Sequence, residues 1–65
     1  MAKLTKRQIE TLQLLWDGYE YKEAADKLCV AHRTVHGYID AARQTTGIRN
    51  TVSLIRYALG KGLIE

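Results

Sequence analysis

The sequence contains, at residues 22–40, the stretch KEAADKLCVAHRTVHGYID. Two helical patterns lie in this stretch, and only residues 29–31 separate them. The first pattern predicts a helix over 22–28, because its apolar residues recur at the spacing of one helical face. Those residues are Ala24, Ala25 and Leu28.

The other face of this short helix carries alternating charges. Lys22 and Asp26 are four residues apart, as are Glu23 and Lys27. Opposite charges at this spacing are neighbours on a helix surface. We therefore expect both pairs to form ion pairs in solvent.

The second pattern predicts a longer helix over 32–46 that ends near Gly47. Its buried stripe consists of Val35, Ile39 and Ala42, with Tyr38 beside them. Two helices joined by a three-residue turn, of which the second is longer and richer in donors, form a helix-turn-helix arrangement.

Residues 6–17 are predicted to form a helix before this pair. Thr5 and Gln8 fit a capping box, and Leu4 and Ile9 are spaced for a hydrophobic staple. Gly18 supplies a left-handed end. The inward residues are Leu12, Leu15 and Thr11.

A fourth helix is predicted over 51–60, with Asn50 as its N-cap. Its inner face comprises Leu54, Ile55 and Ala58. Gly60 and Gly62 end it, and we expect Leu63 and Ile64 to fold back as an apolar plug.

Length and composition indicate one small all-helical domain over 1–65. The chain has 65 residues, 46% of them apolar, and no proline. Cys29 is the only cysteine, whereas a secreted domain of this size usually needs several disulfides, so we expect a cytoplasmic protein. Neither a leader peptide nor a membrane-spanning run is evident. The net charge of +3 is compatible with a nucleic-acid partner.

The order and spacing of these residues resemble the LuxR-type (GerE-like) helix-turn-helix domain of bacterial transcription regulators. The resemblance runs from Leu4 to Ile64 and includes Lys22-Glu23-x-Ala25-x-x-Leu28-x-Val30, Thr34-Val35, Gly47-Ile48-x-Asn50 and Ala58-x-x-x-Gly62-Leu63-Ile64. It implies an all-α, four-helix fold, a bacterial or phage source, and binding to double-stranded DNA. In this family the domain follows a receiver or a ligand-sensing domain. If the 65 residues are complete, we expect control by abundance or by a partner.

The resemblance also implies which residues meet DNA. A recognition helix enters the major groove with its N-terminal half. The family's base-contacting positions fall on His36, Gly37 and Asp40, and Thr34 fits a phosphate contact. With outward-facing basic and loop residues added, the candidate DNA surface comprises Arg33, Thr34, His36, Gly37, Asp40, Arg43, Arg49 and Asn50.

Three residues depart from the family pattern. Asp40 occupies a frequently basic position, where a carboxylate repels phosphate but can accept a hydrogen bond from cytosine N4. Gly37 offers no side chain. Ala31 replaces the usual Ser or Thr cap of the recognition helix, a loss of about 1 kcal/mol.

Other chemistries have weak support in the sequence. His32 and His36 are four apart, as metal ligands can be, but no third ligand is evident, and we expect neither a metal nor a cofactor. Cys29 is interpreted as a small packing residue of the turn. Glu20 and Glu23 have no cleft to work in, so we expect no enzyme and no small-molecule ligand.

Two functions are compatible with these observations. The first is a transcription regulator that binds DNA as a homodimer, with Val52, Arg56 and Leu59 of helix 4 facing away from the core and forming the interface. The second is a protein-interaction module that pairs with a full-length LuxR-type regulator and modulates its DNA binding. The departures at residues 31, 37 and 40 favour the second, and the retained Arg33, Arg43, Arg49 and Thr34 favour the first.

Overall fold

A computed structural model of the protein describes residues 3–65, and these form four helices and no strand. The helices are α1 (Lys6–Trp16), α2 (Tyr21–Leu28), α3 (His32–Thr46) and α4 (Thr51–Gly60). The expected all-α, helix-turn-helix class is confirmed. Against the predicted ranges, α1 ends one residue earlier and α2 begins one residue earlier.

Hydrogen bonds within the chain's own turns define both ends of α1. The backbone N–H of Gln8 donates to the Thr5 hydroxyl at 3.2 Å, and the N–H of Thr5 donates to Oε1 of Gln8 at 2.9 Å. The capping box predicted from the sequence is therefore present. At the other end Gly18 has φ +102°, and the N–H of Tyr19 donates back to the carbonyl of Leu14 at 3.0 Å. This is a Schellman turn, and its left-handed residue is the glycine.

The start of α2 corrects two expectations. Tyr21 is the first residue of α2, one position before the predicted start at residue 22. The helix begins there because the N–H of Glu20 donates to the Glu23 carboxylate at 2.9 Å and so caps its first turn. Glu23 is thus occupied at the helix start and forms no ion pair with Lys27, whose ammonium lies 5.1 Å from the Tyr19 ring centroid. Over residues 3–65 the only ion pairs are Arg7–Glu10 and Arg43–Asp40, so the two pairs predicted on α2 do not form.

The core consists of two adjoining clusters of buried residues. The larger one joins α1, α3, α4 and the C-terminal tail through Leu12, Ile39, Ala42, Leu54, Ala58 and Ile64. The smaller one joins α2 to α3 through Ala24, Ala25 and Val35. The predicted buried stripes of α2 and α3 are confirmed, and at full burial a truncation such as Leu54→Ala costs about 2–5 kcal/mol.

The C-terminal tail folds back as expected, but only one of its two apolar residues acts as a plug. Gly62 has φ +73°, and the N–H of Leu63 donates to the carbonyl of Ala58 at 2.9 Å. This turn directs Ile64 into the larger cluster, where it is 3% exposed, and leaves Leu63 39% exposed. The tail thereby covers the ends of α1 and α4.

Candidate nucleic-acid interface

The turn between α2 and α3 is set by a left-handed residue that is not glycine. Cys29 has φ 59° and ψ 43°, and the N–H of Val30 donates to the carbonyl of Ala25 at 3.0 Å. The turn has the Schellman geometry, with a side chain where glycine is usual. Cys29 is solvent-exposed, so its interpretation as a packing residue is wrong: the left-handed conformation directs its side chain outward.

α3 presents one side to the core and the other to solvent. Val35, Ile39 and Ala42 are 0–1% exposed. The residues on the opposite side are solvent-exposed: Arg33, His36, Gly37 and Asp40. Four of the predicted DNA-contacting residues therefore lie together on one continuous surface of the helix.

The first turn of α3 is open to an incoming anion. Its N-cap, Ala31, has φ −69° and ψ 150° and makes no side-chain hydrogen bond. Only the N–H of Thr34 is bonded back, to the carbonyl of Ala31 at 2.9 Å. The first turn contains no acidic residue, so the positive end of the helix dipole is uncompensated there. A phosphate is the kind of group that such a helix end attracts.

His36 is held in place by an aromatic neighbour on α2. The ring centroids of Tyr21 and His36 are 4.5 Å apart, at an interplanar angle of 42°. His32 packs edge-on against the same imidazole, with centroids 4.8 Å apart. Because Tyr21 also packs against both core clusters, it connects the core to a side chain on the exposed face of α3.

Arg43 points toward α4 instead of outward. Its Nη1 donates to Oδ1 of Asp40 at 3.2 Å, and its Nη2 donates to the hydroxyl of Thr51 at 2.7 Å. The expectation of an outward-facing Arg43 is therefore corrected: both ends of its guanidinium are engaged within the domain. The same contact neutralises Asp40, the residue whose charge counts against DNA binding.

The loop after α3 brings the last two predicted DNA-contacting residues to the surface. Gly47 ends α3 with φ 75°, and Arg49 and Asn50 follow it as exposed residues. Oδ1 of Asn50 accepts from the N–H of Ser53 at 3.1 Å, so this side chain caps α4. Arg49 lines a shallow depression together with Arg43, Gln44 and Gly47.

The outer face of α4 differs from the prediction at one residue. Val52 is 61% exposed and Arg56 is also exposed, as expected. Leu59 is only partly exposed and packs against the larger core cluster. Leu59 therefore lies toward the core side of α4. Tyr57 is the further large apolar residue exposed on this helix.

Comparison with known proteins assigns the domain. Residues 2–58 match the family described as "Bacterial regulatory proteins, luxR family" (GerE). The chain belongs to the LuxR family. It is 39% identical over 62 residues to the "Oxygen regulatory protein NreC" of Staphylococcus aureus strains JH9, JH1 and Mu3 / ATCC 700698. These alignments cover 95% of this chain and 29% of each relative, so the chain spans less than a third of their length.

Membership of the LuxR family confirms the resemblance found in the sequence. The family consists of DNA-binding regulators, and its helix-turn-helix domain takes double-stranded DNA as partner. This domain is therefore of the DNA-binding type that transcription regulators of this family carry.

Two residues that support this candidate surface, Tyr21 and Thr51, were not predicted from the sequence. The predicted helix began at residue 22, so Tyr21 lay just outside it. Thr51 stands eight residues after Arg43 and on another helix, so no local pattern connects the two. Only the docking of α4 against α3 brings them together.

Two further features are absent from residues 3–65, a metal-binding cluster and a membrane-spanning helix. Between residues 3 and 65 no group of three or more His, Cys, Asp or Glu side chains is placed to hold a metal ion. Among the helices of that same part of the chain, none is long and apolar enough to cross a membrane.

Proposed function

We propose that this domain docks α3 in the major groove of double-stranded DNA and binds as a homodimer through α4. The observation that carries the docking is the exposed surface of Arg33, His36, Gly37 and Asp40 opposite the buried stripe of α3. Base edges are read by the N-terminal half of a recognition helix, which contains His36 and Gly37, with Asp40 one turn further on. Thr34 and the first turn of α3 then meet a phosphate, and Arg49 meets the backbone beside the groove.

Dimerisation is supported by the outer face of α4. Val52, which is 61% exposed, lies one helical turn before the exposed Arg56 on the same side of α4. A second copy of the domain can cover this exposed apolar side chain, because two-fold pairing places identical surfaces against each other. The two recognition helices would then contact half-sites one DNA turn apart, roughly 34 Å, on a pseudo-palindrome.

A salt-dependent gel shift with random duplex DNA tests the docking. Wild-type protein should bind at about 50 mM salt and lose affinity steeply toward about 200 mM, since phosphate contacts release counterions. Arg33→Ala should weaken binding to all duplexes alike and flatten the slope by about 0.9 per subunit, or about 1.8 for the homodimer. Lys61→Ala, at the end of α4, is the matched control and should leave the slope unchanged. If both variants match the wild type, α3 does not dock as proposed.

A second candidate function is pairing with a full-length LuxR-family regulator to modulate its DNA binding. The observation that favours it is the α3 surface itself, where Gly37 has no side chain and the Asp40 carboxylate faces solvent. A domain with weak readout would still offer α4 for pairing. Two results together would support this function. The domain would bind neither random nor selected duplexes at low salt, and it would form a stable complex with a full-length LuxR-family regulator.

A further inference from the structure

Arg43 connects the exposed surface of α3 to the first residue of α4. Its Nη1 reaches Oδ1 of Asp40 at 3.2 Å and its Nη2 reaches the Thr51 hydroxyl at 2.7 Å. The Asp40 side chain is 63% exposed and that of Arg43 37%. Nε of Arg43 is buried, and nothing in residues 3–65 accepts a hydrogen bond from it. The guanidinium is therefore held between one group on its own helix and one on the next.

The contact with Thr51 determines how the guanidinium of Arg43 is oriented. An exposed ion pair between residues three apart on a helix contributes little by itself, because both long side chains can change rotamer. The Thr51 hydroxyl is half-buried and belongs to a different helix, and it accepts at short range. Because the guanidinium is planar, holding Nη2 also fixes the side from which Nη1 meets the carboxylate.

We propose that Thr51 is a positioning residue for base recognition. Acting through Arg43, it holds Oδ1 of Asp40 and leaves Oδ2 directed into the groove, where it accepts a hydrogen bond from the N4 amino group of a cytosine. Thr51 itself does not touch DNA. The inference rests on the docking of α3 proposed above and adds to it a determinant of specificity on α4.

The pair also explains how a carboxylate can stay at this position. An isolated Asp40 would repel the phosphates that flank the groove, whereas the pair with Arg43 has no net charge. Asp40 then keeps the acceptor oxygen that reads a base. Loss of the Thr51 anchor should therefore reduce discrimination at one base pair and leave overall affinity close to that of the wild type.

Selection of bound sequences from a randomised duplex library tests this inference. The wild type should prefer cytosine at one position per half-site, and Thr51→Val should lose on the order of fivefold discrimination at that position alone. Thr51→Ser keeps a hydroxyl and should restore it. Ser53→Ala is the matched control, since it removes a hydroxyl from the same helix without touching Arg43.

A second arm separates positioning from mere structural support. In an Asp40→Ala background, which lacks both carboxylate oxygens, Thr51→Val should cause no further change in base preference, because Arg43 then has no oxygen of residue 40 to hold. Two results would overturn this inference without affecting the proposed docking. One is an unchanged selected motif for Thr51→Val, and the other is an equal loss of base discrimination at all positions together with a lower Tm. If the wild-type protein selects no sequence motif and binds no duplex in the gel shift, the proposed docking of α3 is wrong as well.

Discussion

Gln13 on α1 holds the backbone of Glu65 by two hydrogen bonds. Its Nε2 donates to the Glu65 carbonyl at 2.9 Å, and its Oε1 accepts from the Glu65 N–H at 3.0 Å. The two residues are 52 positions apart. This clamp fixes the tail immediately after Ile64, and so keeps Ile64 in the core at the junction of α1 and α4.

Gln13→Ala should lower the free energy of unfolding by about 1 kcal/mol, since it removes two hydrogen bonds that are both solvent-exposed. In a domain of this size each kcal/mol lost lowers the Tm by roughly 4–8 °C, which thermal unfolding measures. Gln44→Ala removes an exposed glutamine of α3 that makes no side-chain hydrogen bond within residues 3–65, and serves as control. Equal Tm values for the two variants would contradict the clamp.

Cys29→Gly should stabilise the domain by about 0.5–1 kcal/mol. A side chain in the left-handed region costs roughly 1–2 kcal/mol, and glycine removes this cost but adds some entropy to the unfolded chain. Cys29→Ala keeps a Cβ at the same φ of 59° and should be close to neutral. Denaturant unfolding of both variants separates the two effects. If alanine stabilises as much as glycine, the thiol and not the backbone is the cause.

Ala31→Ser should raise the unfolding free energy by about 0.5–2 kcal/mol, because a serine at this N-cap accepts from a backbone N–H of the first turn. Thr34 already donates to the Ala31 carbonyl, so the lower half of this range is expected. The same substitution at Ala41, inside α3, should be neutral or destabilising. DNA affinity should rise or stay level. A destabilised Ala31→Ser would place the start of α3 elsewhere.

Asp40→Lys should tighten binding to random duplex DNA and change the base preferred at one position per half-site. The substitution removes the acceptor oxygen, adds a donor toward phosphate, and ends the ion pair with Arg43. Asp17→Lys makes the same charge change at the end of α1 and should have a smaller effect. Gel shifts at low salt compare the two. Equal gains would mean that residue 40 does not face DNA.

Val52→Glu should reduce self-association and leave the helical content intact, because residue 52 is the most exposed apolar residue of α4. Leu59→Glu should instead lower helical content, since Leu59 packs against the core and a buried carboxylate is costly. Sedimentation and circular dichroism report the two effects. Gln44→Glu controls for added charge. A Val52→Glu protein that keeps the wild-type mass would place the interface off α4.

Local interactions account for what could be predicted at this LuxR-family site. The capping box of Thr5, the cap by Asn50 and the left-handed Gly18 and Gly47 all involve residues within a few positions of each other. Short-range patterns of this kind can be read from a sequence. The exposed strip of α3 follows from the same periodicity, because an inward stripe defines the outward one.

The failed predictions share a different cause. Glu23 had two possible partners, Lys27 on the helix and the N–H of Glu20, and the backbone donor is the one it uses. Leu59 was assigned to the outer face because periodicity alone does not show how far the core extends around α4. Arg43 was expected to point outward because its acceptor, Thr51, lies on another helix.

The sequence by itself determined the four helices, the N-caps of α1 and α4, the buried stripes of α2 and α3 and the helix-turn-helix order, because each depends on spacing within one or two helical turns. The tertiary structure alone decided the Arg43–Thr51 bond, the Gln13–Glu65 clamp, the Tyr21–His36 contact and the choice of Ile64 over Leu63 as plug. Each of these depends on the distance and rotation between separate elements. That geometry is set by how the whole core packs, and no local pattern encodes it.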